Sequence, residues 1–234
     1  SAVELRKLCR DHADRCIDIQ TKQFKRLGVL GEWENPYKTM SFDYEAQIVR
    51  ELAKLADKDL LYRAKRTIHW CATCQTALAE AEIEYRDKKS PSIYVSFELT
   101  KSSLARLEKK IPDLSRHKAF IVIWTTTPWT LPSNLAIALH PEFTYVAIKW
   151  KSDIYIVAKS LLHSVQQACG LSETTILAEL KADELASLSA LHPFINRESK
   201  LILSDHVTSD TGTGCVHIAP GHGTDDYFLG LKHH

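Results

Sequence analysis

The sequence predicts an α/β (α+β) chain in which a helical N-terminal connector, residues 1–87, precedes a barrel-like β body, residues 88–230. Three observations lead there. Apolar residues recur at three- and four-residue steps in the first part of the chain, the period drops to two after Lys88-Lys89-Ser90-Pro91, and Phe120-Ile121-Val122-Ile123-Trp124 is apolar at every position. A length of 234 residues, against a usual domain of roughly 150, fits one large body with an appendage.

The first helix is read from Val3 to Leu27, where Leu5, Leu8, Cys9, Cys16, Ile19 and Phe24 make one face between Lys, Arg and Asp, and Gly28 and Gly31 close it. Ser41 or Asp43 caps a second, whose buried stripe is expected from Ile48, Val49, Leu52, Leu55 and Ala56. After Pro91, Ile93, Val95, Phe97 and Leu99 alternate with Tyr94, Ser96 and Glu98 as a half-buried strand does, and the 120–124 run should be a central strand covered on both faces. Tyr145 to Trp150 and Ile154 to Ala158 flank Lys151-Ser152-Asp153 as a hairpin. One helix, about Ser160 to Cys169 with Gly170 behind it, interrupts strands that resume at Leu201–Leu203 and Cys215–Ile218. The stretch 231–234, ending Lys232-His233-His234, is set apart as a tail or tag remnant.

Composition narrows the function classes. With 44% hydrophobic and 25% charged residues the chain falls among globular proteins and outside disordered ones, and no apolar run approaches the roughly 18 residues of a membrane helix. A net charge of +1 argues against holding nucleic acid through a broad positive field, while allowing a local basic groove. The start SAVELRKLCRDHADRC is charged from its fourth residue, so a cytoplasmic location is expected, and six scattered cysteines read as reduced thiols.

Two segments concentrate chemistry. Thr125-Thr126-Thr127-Pro128-Trp129-Thr130-Leu131-Pro132-Ser133-Asn134 follows the apolar strand, and its prolines force a turn that crowds hydroxyls and an amide together at the sheet edge. Such a cluster can bind a polar ligand or orient a water, or its hydroxyls can simply satisfy backbone groups. Thr211-Gly212-Thr213-Gly214-Cys215-Val216-His217-Ile218-Ala219-Pro220-Gly221-His222-Gly223-Thr224-Asp225-Asp226-Tyr227 permits close backbone approach and ends in two carboxylates at a candidate helix start. There Asp225 suits an N-cap, Asp226 is the spare carboxylate, and His217 is either a packed histidine or a site residue. Cys71-Ala72-Thr73-Cys74 has the spacing of half a zinc site, but no second pair completes it, so no metal site is assigned. There is no P-loop, no Gly-x-Ser-x-Gly elbow and no His-Glu-x-x-His helix.

Taken together, Trp124 to Asn134 and Gly212 to Tyr227 resemble the two signature segments of the editing (connective-peptide) domain inserted in bacterial-type isoleucyl-tRNA synthetases. The resemblance extends through Gly28-Val-Leu-Gly-Glu-Trp33, His69-Trp-Cys-Ala-Thr-Cys74 and Ala77 to Tyr85, while the valyl and leucyl relatives carry an arginine after two threonines where this chain has Thr127-Pro128-Trp129. The family's ATP signatures, His-x-Gly-His and Lys-Met-Ser-Lys-Ser, are missing. The resemblance therefore implies an isolated editing fragment, without cofactor of its own, from a parent enzyme that uses ATP, magnesium and zinc.

Such a module is needed because one missing methylene is worth only about 1–3 kcal/mol, isoleucine against valine in this family being the known illustration. The implied reaction is hydrolysis of mischarged valyl-tRNA(Ile), with valyl-adenylate as a further candidate, by a pocket too small for isoleucine. The implied partners are the 3′ end of aminoacylated tRNA(Ile), valine as the rejected amino acid, and the rest of the synthetase. By the same resemblance Asp226 holds the substrate ammonium, Thr126 and Thr127 hold the ester, ribose and attacking water, and Thr125, Thr130 and Asn134 shape and buttress the pocket. His217 sits against the terminal ribose or the side-chain wall and so helps to exclude isoleucine, and Trp129 supplies bulk for the same purpose. The alternatives are a module that binds the aminoacylated end without turning it over, and a zinc or thiol module built on Cys71 and Cys74.

Overall fold

The computed structural model describes residues 1–233 and contains two compact units, Ser1–Ala64 and the segment from Lys65 onward. In the first unit, α1 (Ala2–Arg26) starts at Ser1, whose hydroxyl accepts from the Glu4 amide while the Glu4 carboxylate takes the Ser1 amino group. α2 (Phe42–Ala56) is capped by the Ser41 hydroxyl, and Arg10 reaches from α1 to Met40 O and the Glu45 carboxylate. The stripe of Ile48, Val49, Leu52 and Leu55, expected to be buried, is exposed, and neither helix has a buried residue. A helix pair has no second layer of its own to cover both stripes.

The mainly helical reading before residue 87 also needs correction beyond α2. β1 (Trp70–Cys71) and β2 (Thr76–Ala77) form a short antiparallel hairpin, turned through Gln75 at φ 54°, and only a single 3₁₀ turn, Glu80–Glu82, follows. This hairpin groups with the second unit, so the compact units divide at Ala64 while the boundary read from the sequence stands at residue 87.

The second unit is built on β3 (Ile93–Leu99), β4 (Ala119–Thr125), β5 (Ala136–Leu139), β6 (Thr144–Trp150), β7 (Asp153–Ala158), β8 (Thr175–Lys181), β9 (Ser189–Leu191), β10 (Glu198–Leu203) and β11 (Cys215–Ile218). They form one nine-stranded mixed sheet in the order β11-β5-β10-β9-β3-β4-β7-β6-β8, with β5/β10 and β4/β7 parallel. The outer strands β8 and β11 do not pair, so the barrel-like body is not a closed barrel. Instead the sheet curls until the approach to β11 meets the end of β7, where Ala158 N donates to Thr213 O at 2.8 Å. The Tyr145 hydroxyl adds a bond to Gly214 O at 2.7 Å.

β4 shows why a continuous apolar run marks a central strand. Ile121 and Ile123 enter the main core with Phe97, Ile137 and Tyr145, while Val122 points into a second cluster with Val146, Val157 and Val165. α4 (Leu162–Cys169) ends at Gly170 in the left-handed conformation, as the sequence suggested. The helix α3 (Lys101–Leu107), capped by Thr100, and the short α5 (Ala182–Leu185) were not expected. α6 (Thr224–His233) continues through Leu231–His233, so these residues are helix and not the separate tail expected from 231 onward; His234 lies outside the described residues. Among the described residues no helix is long and apolar enough to cross a membrane.

Candidate functional site

β4 stops at Thr125 because Pro128 and Pro132 cannot extend a ladder, and the chain turns into a six-residue 3₁₀ segment, Pro128–Ser133. Thr130 fastens its first turn, donating to Thr127 O from the amide at 3.1 Å and from the hydroxyl at 2.8 Å. Across from it, β11 carries His217 opposite Ile137, and Ala219 to Gly223 lead into α6. The two stretches wall an open cavity of 440 Å³ whose lining includes Thr125, Thr126, Thr127, Thr130, His217 and Asp226. That volume is within the usual range for small-molecule sites.

Asn134, expected to shape and buttress the pocket, and Trp129 do not line the cavity. Asn134 is fully buried behind the wall, and Trp129 is 63% exposed and does not line the cavity. The bulk assigned to Trp129 is therefore not on the cavity wall, because the 3₁₀ turn that brings Thr130 inward leaves Trp129 outside.

Hydrogen bonding determines the histidine's tautomer. Ala136 O can only accept, so it must receive Asn134 Nδ2 at 2.8 Å, and the same amide nitrogen directs its second proton to His217 Nδ1 at 2.8 Å. Ser199 donates to Asn134 Oδ1, completing that amide. His217 Nε2 then carries the proton and donates to Thr130 Oγ1 at 2.9 Å. Both ring nitrogens are thus engaged within the protein, Nδ1 by Asn134 and Nε2 by Thr130.

Burial pushes the His217 pKa down, opposed by the Asp226 charge and assisted by His192 and His222. The unfolded chain, with an ordinary value of about 6.5, therefore takes up the proton first as pH falls. The stabilising contribution is complete above that value and is lost on acidification. Melting temperature should drop between about pH 7.5 and about pH 5.5, and His217→Gln should have the shallower slope. Equal slopes would refute the assignment.

Asp226 sits in the first turn of α6, where its Oδ2 accepts from Ala219 N at 2.8 Å and the helix terminus favours its charge. Among the described residues no Lys or Arg pairs with it. A carboxylate on a cavity wall without a cation is suited to receive an ammonium. Gly223 makes room for it: a Cβ there would come within 2.9 Å of Asp226 Cγ. Asp225, by contrast, is exposed and outside the cavity lining.

The family model for tRNA synthetases class I (I, L, M and V) matches residues 1–189. The chain belongs to this family. The resemblance carried by the two motif segments is borne out within it: over 229 residues the chain is 50% identical to the isoleucine-tRNA ligase of Desulfovibrio desulfuricans, covering 98% of this chain and 24% of that protein. Over 233 residues it is 48% identical to the isoleucine-tRNA ligase of Persephonella marina, covering 100% of this chain and 24% of that protein. The chain thus spans about a quarter of the length of the curated relatives it matches.

Among solved structures, GlLeuRS-CP1 is similar at a TM-score of 0.51 and 19% identity, covering 59% of this chain and 58% of that one. The P. knowlesi cytosolic leucyl-tRNA synthetase editing domain gives 0.50 and 15%, covering 59% and 60%. These likenesses show a shared fold.

In this family member Cys71 ends β1 and Cys74 lies in the β1–β2 turn, where Cys74 N donates to Cys71 Sγ at 3.3 Å and lowers the Cys71 pKa. Among the described residues no third His, Cys, Asp or Glu joins them, so the donors here do not fit a four-ligand zinc site. The cavity also includes residues the motifs did not single out, notably Trp124, His206, Thr208 and His222. His222 is tied to Ser133 at 3.0 Å, and its Gly-His-Gly setting was the available signal. His206 and Thr208 lie in a loop with no motif to mark them.

Proposed function

We propose that the chain is an editing hydrolase module that cleaves the ester of valine misattached to tRNA(Ile). The observation that carries this reading is one cavity lined by a hydroxyl cluster on one side and by Asp226, without a cationic partner among the described residues, on the other. Asp226 receives the α-ammonium of the amino acid, a charge-assisted contact. Thr126 and Thr127 hold the ester, the ribose and the attacking water. Thr126 is exposed at the cavity, and Thr127 is steadied by Thr125, whose Oγ1 accepts from Thr127 N at 3.1 Å. An aminoacyl ester is already activated, so positioning a water suffices and no covalent nucleophile is required. Thr130 and Asn134 act through His217, holding its ring rigid against the side chain to be sorted.

The rest of a longer synthetase would cover the exposed apolar stripes of α1 and α2 and deliver the 3′ end of the tRNA. That division of labour is compatible with a net charge of only +1.

Incubation with valyl- and isoleucyl-tRNA(Ile) tests the proposal. Valyl ester should be cleaved selectively; equal cleavage of both, or cleavage of neither, overturns it. His217→Ala should admit isoleucyl ester, narrowing selectivity by about tenfold, since one methylene is worth roughly 1–3 kcal/mol. Unchanged discrimination would return His217 to a packing role. Gly223→Ala should displace the Asp226 carboxylate and slow valyl hydrolysis on the order of tenfold or more. A rate within twofold of the parent, on the order of assay error, would show that the carboxylate does not need that space.

A further inference from the structure

Two side chains outside the cavity grip the threonine segment from behind. His192, 5% exposed, lies just past β9, and its Nδ1 is 3.2 Å from Ile195 N and 3.4 Å from Phe194 N. Both amides can only donate, so Nδ1 accepts and Nε2 carries the proton, which goes to Leu131 O at 2.8 Å. The ring is held edge-on by Phe97 and Phe194. His192 N donates to Arg197 O at 2.9 Å, closing the turn, and Arg197 Nη2 donates to Pro132 O at 2.7 Å. Consecutive carbonyls between Thr130 and Asn134 are therefore pinned by one neighbouring turn.

The segment needs that help. A 3₁₀ run of more than 3–4 residues is uncommon because its hydrogen bonds are poorly aligned. This one spans six residues and has prolines at 128 and 132 that contribute no N–H. Arg197 also leaves its Nε buried without a partner among the described residues, a cost that a residue present only to fill space would not carry.

We propose that His192 and Arg197 are positioning residues: they set the 3₁₀ segment that carries Thr130, and through Asn134 they maintain the tautomer of His217. The consequence for catalysis rests on the editing reading; the consequence for the segment's conformation does not. Neither residue lines the cavity.

Amide hydrogen exchange and deacylation kinetics on the whole chain test this together. His192→Leu should speed exchange at Thr130 and Asn134 by about tenfold or more while leaving the β4 amides of Ile121 and Ile123 unchanged. It should lower kcat for valyl ester by roughly 10- to 100-fold with KM within about twofold. His192→Gln, whose side-chain amide can still donate to Leu131 O, should recover most of both, and Arg197→Met should act in the same direction as His192→Leu. Unchanged exchange at Thr130 and Asn134 overturns the proposal, as does a Gln variant no better than Leu. If the parent chain cleaves neither ester, the editing reading fails and the exchange comparison alone decides whether the clamp sets the segment.

Discussion

Asp226→Ala should abolish useful hydrolysis of the valyl ester. Removing one partner of a desolvated charge pair costs roughly 2–5 kcal/mol, which is about 30-fold to several thousand-fold in kcat/KM. The loss should not depend on unfolding, because the substitution removes one hydrogen bond, from Ala219 N, and one charge at a helix start. Together these are worth about 1–2 kcal/mol. Asp226→Asn separates the two contributions: its Oδ1 can still accept from Ala219 N, but it carries no charge for the ammonium. It should melt close to the parent and be nearly as inactive as the alanine variant. A substrate ester lacking the α-amino group should be hydrolysed at similar rates by parent and variant. Normal valyl deacylation by Asp226→Ala would remove the ammonium contact from the mechanism.

Asp226 also shows what could be read in advance. Of two adjacent carboxylates at a helix start, Asp226 read as the spare one and is on the cavity wall, whereas Asp225 is not the N-cap expected: α6 already begins at Thr224, which puts Asp225 inside the first turn and in solvent. Both motif segments were legible because prolines restrict the backbone locally and glycines permit turns that other residues resist, so the turn after β4 and the approach to α6 follow from residue type. The covering of β4 on both faces followed from its unbroken apolar run. Properties that depend on tertiary neighbours were not legible. Trp129 and Thr130 are adjacent in sequence, and only the 3₁₀ geometry decides which one faces the cavity. His192 and Arg197 belong to a stretch with no hydrophobic period, and their role comes from carbonyls about 60 positions away in the chain. The exposed stripes of α1 and α2 are the converse case, a correct amphipathic pattern whose covering layer is not in their own unit.

Gly214→Ala should be the most destabilising single-methyl change near the site. Gly214 has φ +72°, where an L side chain is strained, and a Cβ there would lie 2.3 Å from the Cβ of Ala158. Ala158 is fully buried at the end of β7 and has no rotamer with which to move aside. Relief must come from the backbone, at the expense of the Ala158 N to Thr213 O bond and the Tyr145 hydroxyl bond to Gly214 O. Overpacking and backbone strain together suggest a loss of roughly 3–5 kcal/mol. For a unit of this size that is a fall of about 6–20 °C in melting temperature. Hydrolysis should fall with it, since His217 is on the strand that this junction anchors. Ala158→Gly removes the clashing methyl without correcting the φ angle, so the double variant should regain much of the lost stability yet remain below Ala158→Gly alone. Additive effects of the two substitutions would mean that the methyls do not meet, and that β11 is fastened to β7 by something other than this close approach.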